Sequence, residues 1–125
     1  IRDRFIIDYT SAYSTPNLDK LIRTFVYDRQ GEGNFTVSDE FTANVPIRFE
    51  TAITTQADWK VLDDTRLLLT SGTEQMIVNI EASGKVAFTS ETIEVNASAY
   101  TRIGIALKEQ AEKGYIWLKM QAKQL

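Results

Sequence analysis

The sequence contains no cysteine and no histidine among its 125 residues. Without cysteine, neither a disulfide framework nor a thiolate metal site can form, so a hydrophobic core must hold the fold unaided. Without histidine, Ser-His-Asp triads, Cys-His dyads and histidine-held metal ions are excluded. We therefore expect no metal site and no cofactor.

The sequence also lacks long apolar runs and an excess of positive charge. No segment approaches the roughly 18 consecutive apolar residues that a membrane helix needs. The 14 basic residues are outnumbered by 17 acidic ones, for a formal net charge of −3. Nucleic-acid binders normally gather basic residues to meet phosphates. Neither a membrane nor a nucleic acid is therefore an expected partner.

What the chain does have is the composition of a folded domain. Hydrophobic residues make up 43% and charged residues 25% of the sequence, an ordinary balance for a chain with a buried core. The length fits one domain over residues 1–125. The sequence opens at Ile1 without methionine, and Arg2-Asp3-Arg4 leads directly into an apolar stretch. We expect a C-terminal fragment of a larger protein.

Period-two alternation of apolar and polar residues dominates the chain and is typical of half-buried strands. Residues 21–28 are apolar on both faces, which predicts a central strand. Turn signals lie at Gly31-Glu32-Gly33, Asn44-Val45-Pro46 and Asp63-Asp64. The alternating runs lie at residues 5–9, 21–28, 35–41, 47–54, 59–62, 66–70, 76–80, 86–88, 93–95, 103–107 and 116–120. The pattern predicts an all-β fold, an antiparallel β-sandwich of about 8–10 short strands.

One segment departs from this pattern. Residues 105–113 include Ala-Leu-Lys-Glu-Gln-Ala-Glu-Lys and are followed by Gly114, which is good helix chemistry with a glycine stop. We expect a turn or short helix that joins the last two strands. A wide loop within a long hairpin is the alternative.

Few residues offer catalytic chemistry. Asp39 falls on the apolar face of its strand, where an unpaired charge would cost several kcal/mol. It could be a tuned acid or a ligand contact, but we favour a structural role. In that role it is either paired with Arg23 or Arg48, or accepts hydrogen bonds from backbone N–H groups of a neighbouring loop. Gly31-Glu32-Gly33 lacks the further glycine, lysine and helix of a phosphate loop, and is interpreted as a hairpin turn.

A calcium site could be drawn from the carboxylates of Asp63-Asp64 with Glu74 or Glu81. No loop, however, places three or more oxygen ligands at alternating positions, as calcium loops do. We do not expect a calcium site.

Aromatic residues suggest carbohydrate binding, because flat rings stack on pyranose faces. The candidate contacts are Trp59, Tyr100 and Trp117, and Tyr115 is also available. Tyr115 and Trp117 share one face of a strand, opposite Ile116. A strand buried on both sides would explain this equally well, and we favour burial for these rings.

Three segments in order resemble a known family: Asp8-Tyr9-Thr10-Ser11-Ala12-Tyr13, then residues 21–27 with Arg23, then residues 35–41 with Asp39. They are similar to the C-terminal β-sandwich of heparinase II/III-like polysaccharide lyases, where a D-x-T-x-A-Y segment precedes an arginine-bearing strand. The resemblance continues through residues 46–51, Trp59 and the strand pair at residues 66–70 and 76–80. It covers about the first two thirds of the chain.

The resemblance implies a parent enzyme with an α/α toroid ahead of β-sheet domains, which cleaves uronic-acid polysaccharides by β-elimination. It implies a periplasmic or extracellular bacterial location. The implied partners are the toroid and central β-domain of the parent chain and an acidic polysaccharide. No catalytic residue is carried over, and Arg23 and Asp39 match family positions as structural residues.

The expected function is therefore a non-catalytic β-sandwich domain that supports the catalytic domains of a lyase. Two alternatives stay open at this point. One is a carbohydrate-binding module, and the other is a structural or adhesive sandwich domain of a bacterial surface protein.

Overall fold

The computed structural model describes residues 2–10, 16–31 and 33–123. Ile1, residues 11–13 of the D-x-T-x-A-Y segment and Glu32 of the predicted turn lie outside these ranges. The described part of the chain contains ten strands and no α-helix. The strands are β1 Arg2–Asp8, β2 Leu18–Asp28, β3 Asn34–Ile47, β4 Glu50–Thr55, β5 Asp58–Asp63, β6 Arg66–Ser71, β7 Glu74–Ala82, β8 Val86–Val95, β9 Ser98–Leu107 and β10 Ala111–Ala122.

The strands form two sheets, and all strand pairs are antiparallel. Sheet A has seven strands in the order β1-β2-β3-β10-β7-β6-β5, and sheet B has three in the order β4-β9-β8. The prediction of an all-β antiparallel sandwich is thereby confirmed. β2 lies between β1 and β3, as its two apolar faces predicted. No helix within the described ranges is long and apolar enough to cross a membrane.

The core lies between the two sheets and is built by the period-two alternation. Ile116 of β10 and Ile103 and Ile105 of β9 are fully buried, because alternate side chains of each strand point to the same side of its sheet. Burial of one such side chain contributes about 1.5–3 kcal/mol. The rings of Phe41 and Phe49 stack with centroids 4.6 Å apart and join the ends of the two sheets.

The two sheets differ in width, and this leaves part of sheet A uncovered. Phe5 of β1 is paired with Phe25 of β2, and Tyr27 of β2 with Phe35 of β3. These residues share the core-facing side of sheet A with Val37, which is paired with Phe25 and is buried. Phe5 is nevertheless 68% exposed and Tyr27 is 43% exposed. We call Phe5, Phe25, Tyr27 and Phe35 the open aromatic patch.

Two sequence predictions are corrected in the middle of the chain. Asn44-Val45-Pro46 was expected to form a turn but lies inside β3. Here the pairing with β10 is irregular, since Thr42 pairs with Lys113 and Ile47 pairs with Ala111. A bulge of this kind accommodates proline, which cannot donate to a ladder. The run at residues 47–54 is likewise not one strand, because β3 ends in sheet A and β4 begins in sheet B.

Of the turn or short helix expected before Gly114, the turn is confirmed and the helix is wrong. β9 continues to Leu107, and residues 108–110 turn the chain directly into β10. Leu107 is buried and its N–H donates to the carbonyl of Phe49 at 2.9 Å. Burial of the alternating apolar face of residues 103–107 outweighs the local helix propensity, which is a weak preference.

Candidate carbohydrate-binding surfaces

The structure brings two of the predicted sugar contacts together. Trp59 of β5 and Tyr100 of β9 line a recess of about 460 Å³ at one end of the sandwich, with Asp58 and Thr101 beside them. Trp59 also packs against the core cluster. Its ring therefore serves the core as well as the recess, which we call the end recess.

The third predicted contact, Trp117, lies elsewhere. It is on β10, the central strand of sheet A, on the face opposite the core. The expectation that burial explains Tyr115 and Trp117 is wrong for Trp117, which is 37% exposed. No second layer covers this face in the described chain, so a strand can be central in its sheet and still expose one side. The ring centroids of Tyr115 and Trp117 are 5.2 Å apart, and the ring planes are inclined at 45°.

Sequence analysis missed two lysines that flank these rings. Lys113 and Lys119 have the same parity as Tyr115 and Trp117 and therefore project from the same face of β10. Both lysines are exposed. The alternation in Lys-Gly-Tyr-Ile-Trp-Leu-Lys was the available signal, because it places every second residue on one face. We call Lys113, Tyr115, Trp117 and Lys119 the aromatic–lysine strip.

Polar residues of neighbouring strands surround the strip in cross-strand register. Trp117 lies opposite Ser38 of β3 on one side and Glu81 of β7 on the other. Lys119 lies opposite Thr36 and Asn79. Directly opposite side chains in an antiparallel sheet are about 4.5–5.5 Å apart at Cβ. Hydroxyl, amide and carboxylate groups therefore border the exposed rings.

Two shallow recesses lie along the strip. One of about 570 Å³ is lined by Lys20, Glu40, Lys113 and Tyr115, among others. The other, of about 540 Å³, is lined by residues that include Ser38, Asn79, Trp117 and Lys119. Both volumes lie within the range of small-molecule sites, and such sites combine aromatic surface with a few polar groups.

The predicted buried pair of Asp39 is present, and its partner is Arg23. Arg23 Nε and Nη2 donate to the two carboxylate oxygens of Asp39 at 2.6 and 2.8 Å. Nη2 also donates to Thr51 Oγ1 of β4 at 3.4 Å. Arg23 and Asp39 lie in sheet A and Thr51 in sheet B, so this group links the two sheets. The Arg23–Asp39 pair therefore has a structural role, as the sequence analysis favoured.

Asp63, one of the carboxylates considered for a calcium site, accepts hydrogen bonds in the turn between β5 and β6. The backbone N–H of Thr65 donates to Asp63 Oδ1 at 3.0 Å, and Arg66 Nε donates to Oδ2 at 2.7 Å. The Thr65 hydrogen bond and then the Arg66 guanidinium lower the pKa of Asp63. Within the described ranges, no cluster of three or more carboxylates is placed to hold a metal ion.

Comparisons with known proteins support the fold. No protein-family model matches the chain, and no curated protein matches it. Among solved structures, a crystal structure of heparinase III is similar, with a TM-score of 0.64 and 16% sequence identity. The likeness covers 94% of this chain and 19% of that chain. At this identity the likeness establishes the fold, and function has to be argued from sites.

Proposed function

We propose that this chain is an accessory β-sandwich domain of a polysaccharide-lyase-like protein, and that it supports the catalytic domains without cleaving substrate itself. The observation that carries the proposal is the likeness to part of heparinase III along 94% of the chain. That likeness extends the resemblance seen in the sequence, which covered the first two thirds. The chain spans 19% of the length of the heparinase III structure, so the activity of a whole lyase is itself part of the proposal.

The chemistry of β-elimination favours the accessory role. The reaction needs a base that removes the proton α to a carboxylate and a group that neutralises that carboxylate. Tyrosine or histidine usually serves as the base, and the sequence has five tyrosines but no histidine. Arg23 could neutralise a carboxylate, but its Nε–Nη2 edge already donates to the two oxygens of Asp39. The catalytic groups are accordingly proposed to lie on other domains.

The proposed partner is the rest of a longer chain, and the open aromatic patch supports this. Soluble monomers rarely expose large contiguous apolar patches, and such patches commonly mark contact surfaces. The patch continues the core-facing side of sheet A beyond the edge of sheet B, so a neighbouring domain would extend the core across it. A periplasmic or extracellular bacterial location is proposed with the family relationship.

The test is a β-elimination assay of this chain alone. Cleavage of uronic-acid polysaccharides produces unsaturated uronates, which absorb in the ultraviolet. We expect no increase in absorbance with heparin or alginate as substrate, while an active lyase in a parallel reaction gives one. Circular dichroism of the same sample establishes that the chain is folded. A sustained increase with this chain alone would contradict the accessory role.

The parentage is tested separately by the coding sequence that precedes this segment. We expect several hundred residues of helical repeats that carry tyrosine, histidine and asparagine. A preceding segment of repeated β-sandwich domains would instead favour a structural or adhesive surface protein.

A further inference from the structure

The aromatic–lysine strip combines, on one strand, the two kinds of group that an anionic sugar chain requires. Along the outer face of β10 the order is cation, ring, ring, cation: Lys113, Tyr115, Trp117 and Lys119. Successive members are two residues apart, which is about 6.6 Å in a strand. The two lysines are six residues apart, or about 20 Å. The strip therefore suits an extended chain of several sugar units better than a single sugar.

The exposed rings supply the apolar contact. Large aromatic side chains are usually placed in the core, where their area contributes most to stability. Trp117 is 37% exposed although it lies on the central strand of a seven-stranded sheet. The residues directly opposite it, Ser38 and Glu81, are polar, so no apolar cross-strand partner explains its presence. A pyranose ring offers a flat C–H face that would cover such an exposed indole.

The lysines give the strip a preference for anionic ligands. Lys20 and Lys113 lie on either side of Thr42 in one cross-strand row, and Lys119 lies at the other end of the strip. In the described part of the chain, none of these three lysines forms an ion pair. Glu40 lies in the first recess, and the second recess adds Glu81 and the paired Arg2 and Asp28.

Among the residues that line the two recesses, three lysines face two glutamates and the Arg2–Asp28 ion pair is neutral, so the balance of charge there is positive. Lys20 also interacts electrostatically with Asp8 of β1 on the same face. The whole chain, by contrast, has a net charge of −3. Unpaired ammonium groups at both ends of an exposed aromatic pair complement a ligand with repeated negative charges.

We propose that the aromatic–lysine strip binds an anionic polysaccharide, with pyranose rings on Tyr115 and Trp117 and carboxylate or sulfate groups on the lysines. The strip, and not the end recess, is the glycan site. This proposal concerns binding alone and does not depend on the lyase relationship, so its failure would leave the accessory role untouched.

The test is a fluorescence titration that isolates Trp117. The chain has two tryptophans, so a Trp59→Phe background leaves Trp117 as the reporter. The probes are a heparin hexasaccharide and a mannuronate hexamer, with neutral cellohexaose as the control. We expect both anionic probes to change the Trp117 emission, and the affinity to fall as sodium chloride is raised. Cellohexaose should bind at least about tenfold more weakly, which corresponds to the loss of roughly one charge-assisted contact.

Variants then locate the binding, measured by calorimetry so that no tryptophan signal is needed. Trp117→Ala and the pair Lys113→Gln with Lys119→Gln should each weaken the anionic probes about tenfold or more. These side chains are exposed or face solvent, so the fold should persist, as thermal unfolding will show. Lys85→Gln is the matched control, because Lys85 is exposed but lies outside the strip, and it should bind as the parent does.

Three results would overturn the proposal. The first is no binding of either anionic probe at low salt. The second is binding of cellohexaose with equal affinity, which would show that the lysine charges do not select the ligand. The third is binding that survives Trp117→Ala but is lost in Trp59→Ala, which would place the site in the end recess.

Discussion

Asp39 is a buried carboxylate, 2% exposed, whose partner Arg23 retains 27% exposure of its side chain. The guanidinium also lies 5.3 Å from the centroid of the Tyr9 ring. The two members of the pair thus differ in their access to water. Loss of one partner from a buried pair is costly mainly because it strands the other charge. The cost should therefore depend on which partner is removed.

We predict that Arg23→Met lowers the free energy of unfolding by about 3–5 kcal/mol, because it leaves the Asp39 carboxylate buried and unpaired. Asp39→Leu should cost less, since the arginine can turn toward solvent. The double variant should recover most of the loss, because an apolar pair replaces the ion pair. Urea denaturation of the three variants measures this. Equal losses in both single variants, or strict additivity in the double variant, would contradict the interpretation.

At the scale of elements, three strands end in an aspartate that closes the following turn. Asp8 ends β1, Asp28 ends β2 and Asp63 ends β5. Each carboxylate accepts a hydrogen bond from the backbone N–H two residues later, at 2.9 to 3.0 Å. This local arrangement is why aspartate is favoured in turns. It also lowers the pKa of all three carboxyls, through hydrogen bonds to Thr10, Gln30 and Thr65 respectively.

The lowered pKa of Asp63 gives a prediction for acid stability. Because the folded pKa is below the ordinary value of 3.8, the unfolded chain binds the proton more readily. The stabilisation by the charged carboxylate is complete above the ordinary value and is lost as pH falls through the lowered value. Asp63→Asn should therefore be less stable than the parent at pH 7, and the difference should shrink below pH 3.8.

The measurement is the urea midpoint of both proteins from pH 7 to pH 2.5. Asp19→Asn is the control, because Asp19 is exposed and its side chain forms no hydrogen bond within the described ranges. The difference in urea midpoint between Asp19→Asn and the parent should not show this change with pH. A difference for Asp63→Asn that stays constant across the pH range would refute the assignment.

For the molecule as a whole, the main feature is the mismatch between a seven-stranded and a three-stranded sheet. Sheet B covers the core residues of sheet A but not the open aromatic patch. Phe5, at 68% exposure, contributes little to the stability of this domain by itself. The proposed accessory role would give Phe5 a contact outside the domain.

We predict that Phe5→Ser changes the free energy of unfolding by no more than about 0.5 kcal/mol. The same substitution should clearly reduce the binding of an apolar-surface dye and any self-association seen in sedimentation. Val95→Ser is the control, since Val95 is 52% exposed but lies in sheet B. Unchanged dye binding in Phe5→Ser, or a loss as large in Val95→Ser, would show that the patch is not a distinct contact surface.

Local pattern predicted the features whose cause is local. The alternation of apolar residues predicted the strands, and the charge on the apolar face at Asp39 predicted its buried pair with Arg23 or Arg48. The Asp63-Asp64 turn was predicted in the same way. Local pattern was divided at residues 105–113, where alternation predicted the strand to Leu107 and helix propensity suggested a short helix that the structure does not contain.

Other features depended on contacts between distant segments. Whether the two apolar faces of β10 were both covered could not be deduced from the strand, because the answer depends on whether a second layer packs on each side of sheet A. The change from sheet A to sheet B at residues 48–49 could not be deduced either, because the alternation of apolar and polar residues continues through it without a break.

The sequence by itself determined the strand content, the face that each residue takes and the exclusion of histidine and cysteine chemistry, because strand periodicity and composition are properties of neighbouring residues. Only the tertiary structure decided which faces remain open. The ten strands of the described ranges divide unequally between two sheets, which leaves Phe5 exposed beyond sheet B. Trp117 is exposed on the opposite side of sheet A, where no second layer packs in those ranges. Those two open faces are where the proposed contacts, one with a domain and one with a glycan, are to be sought.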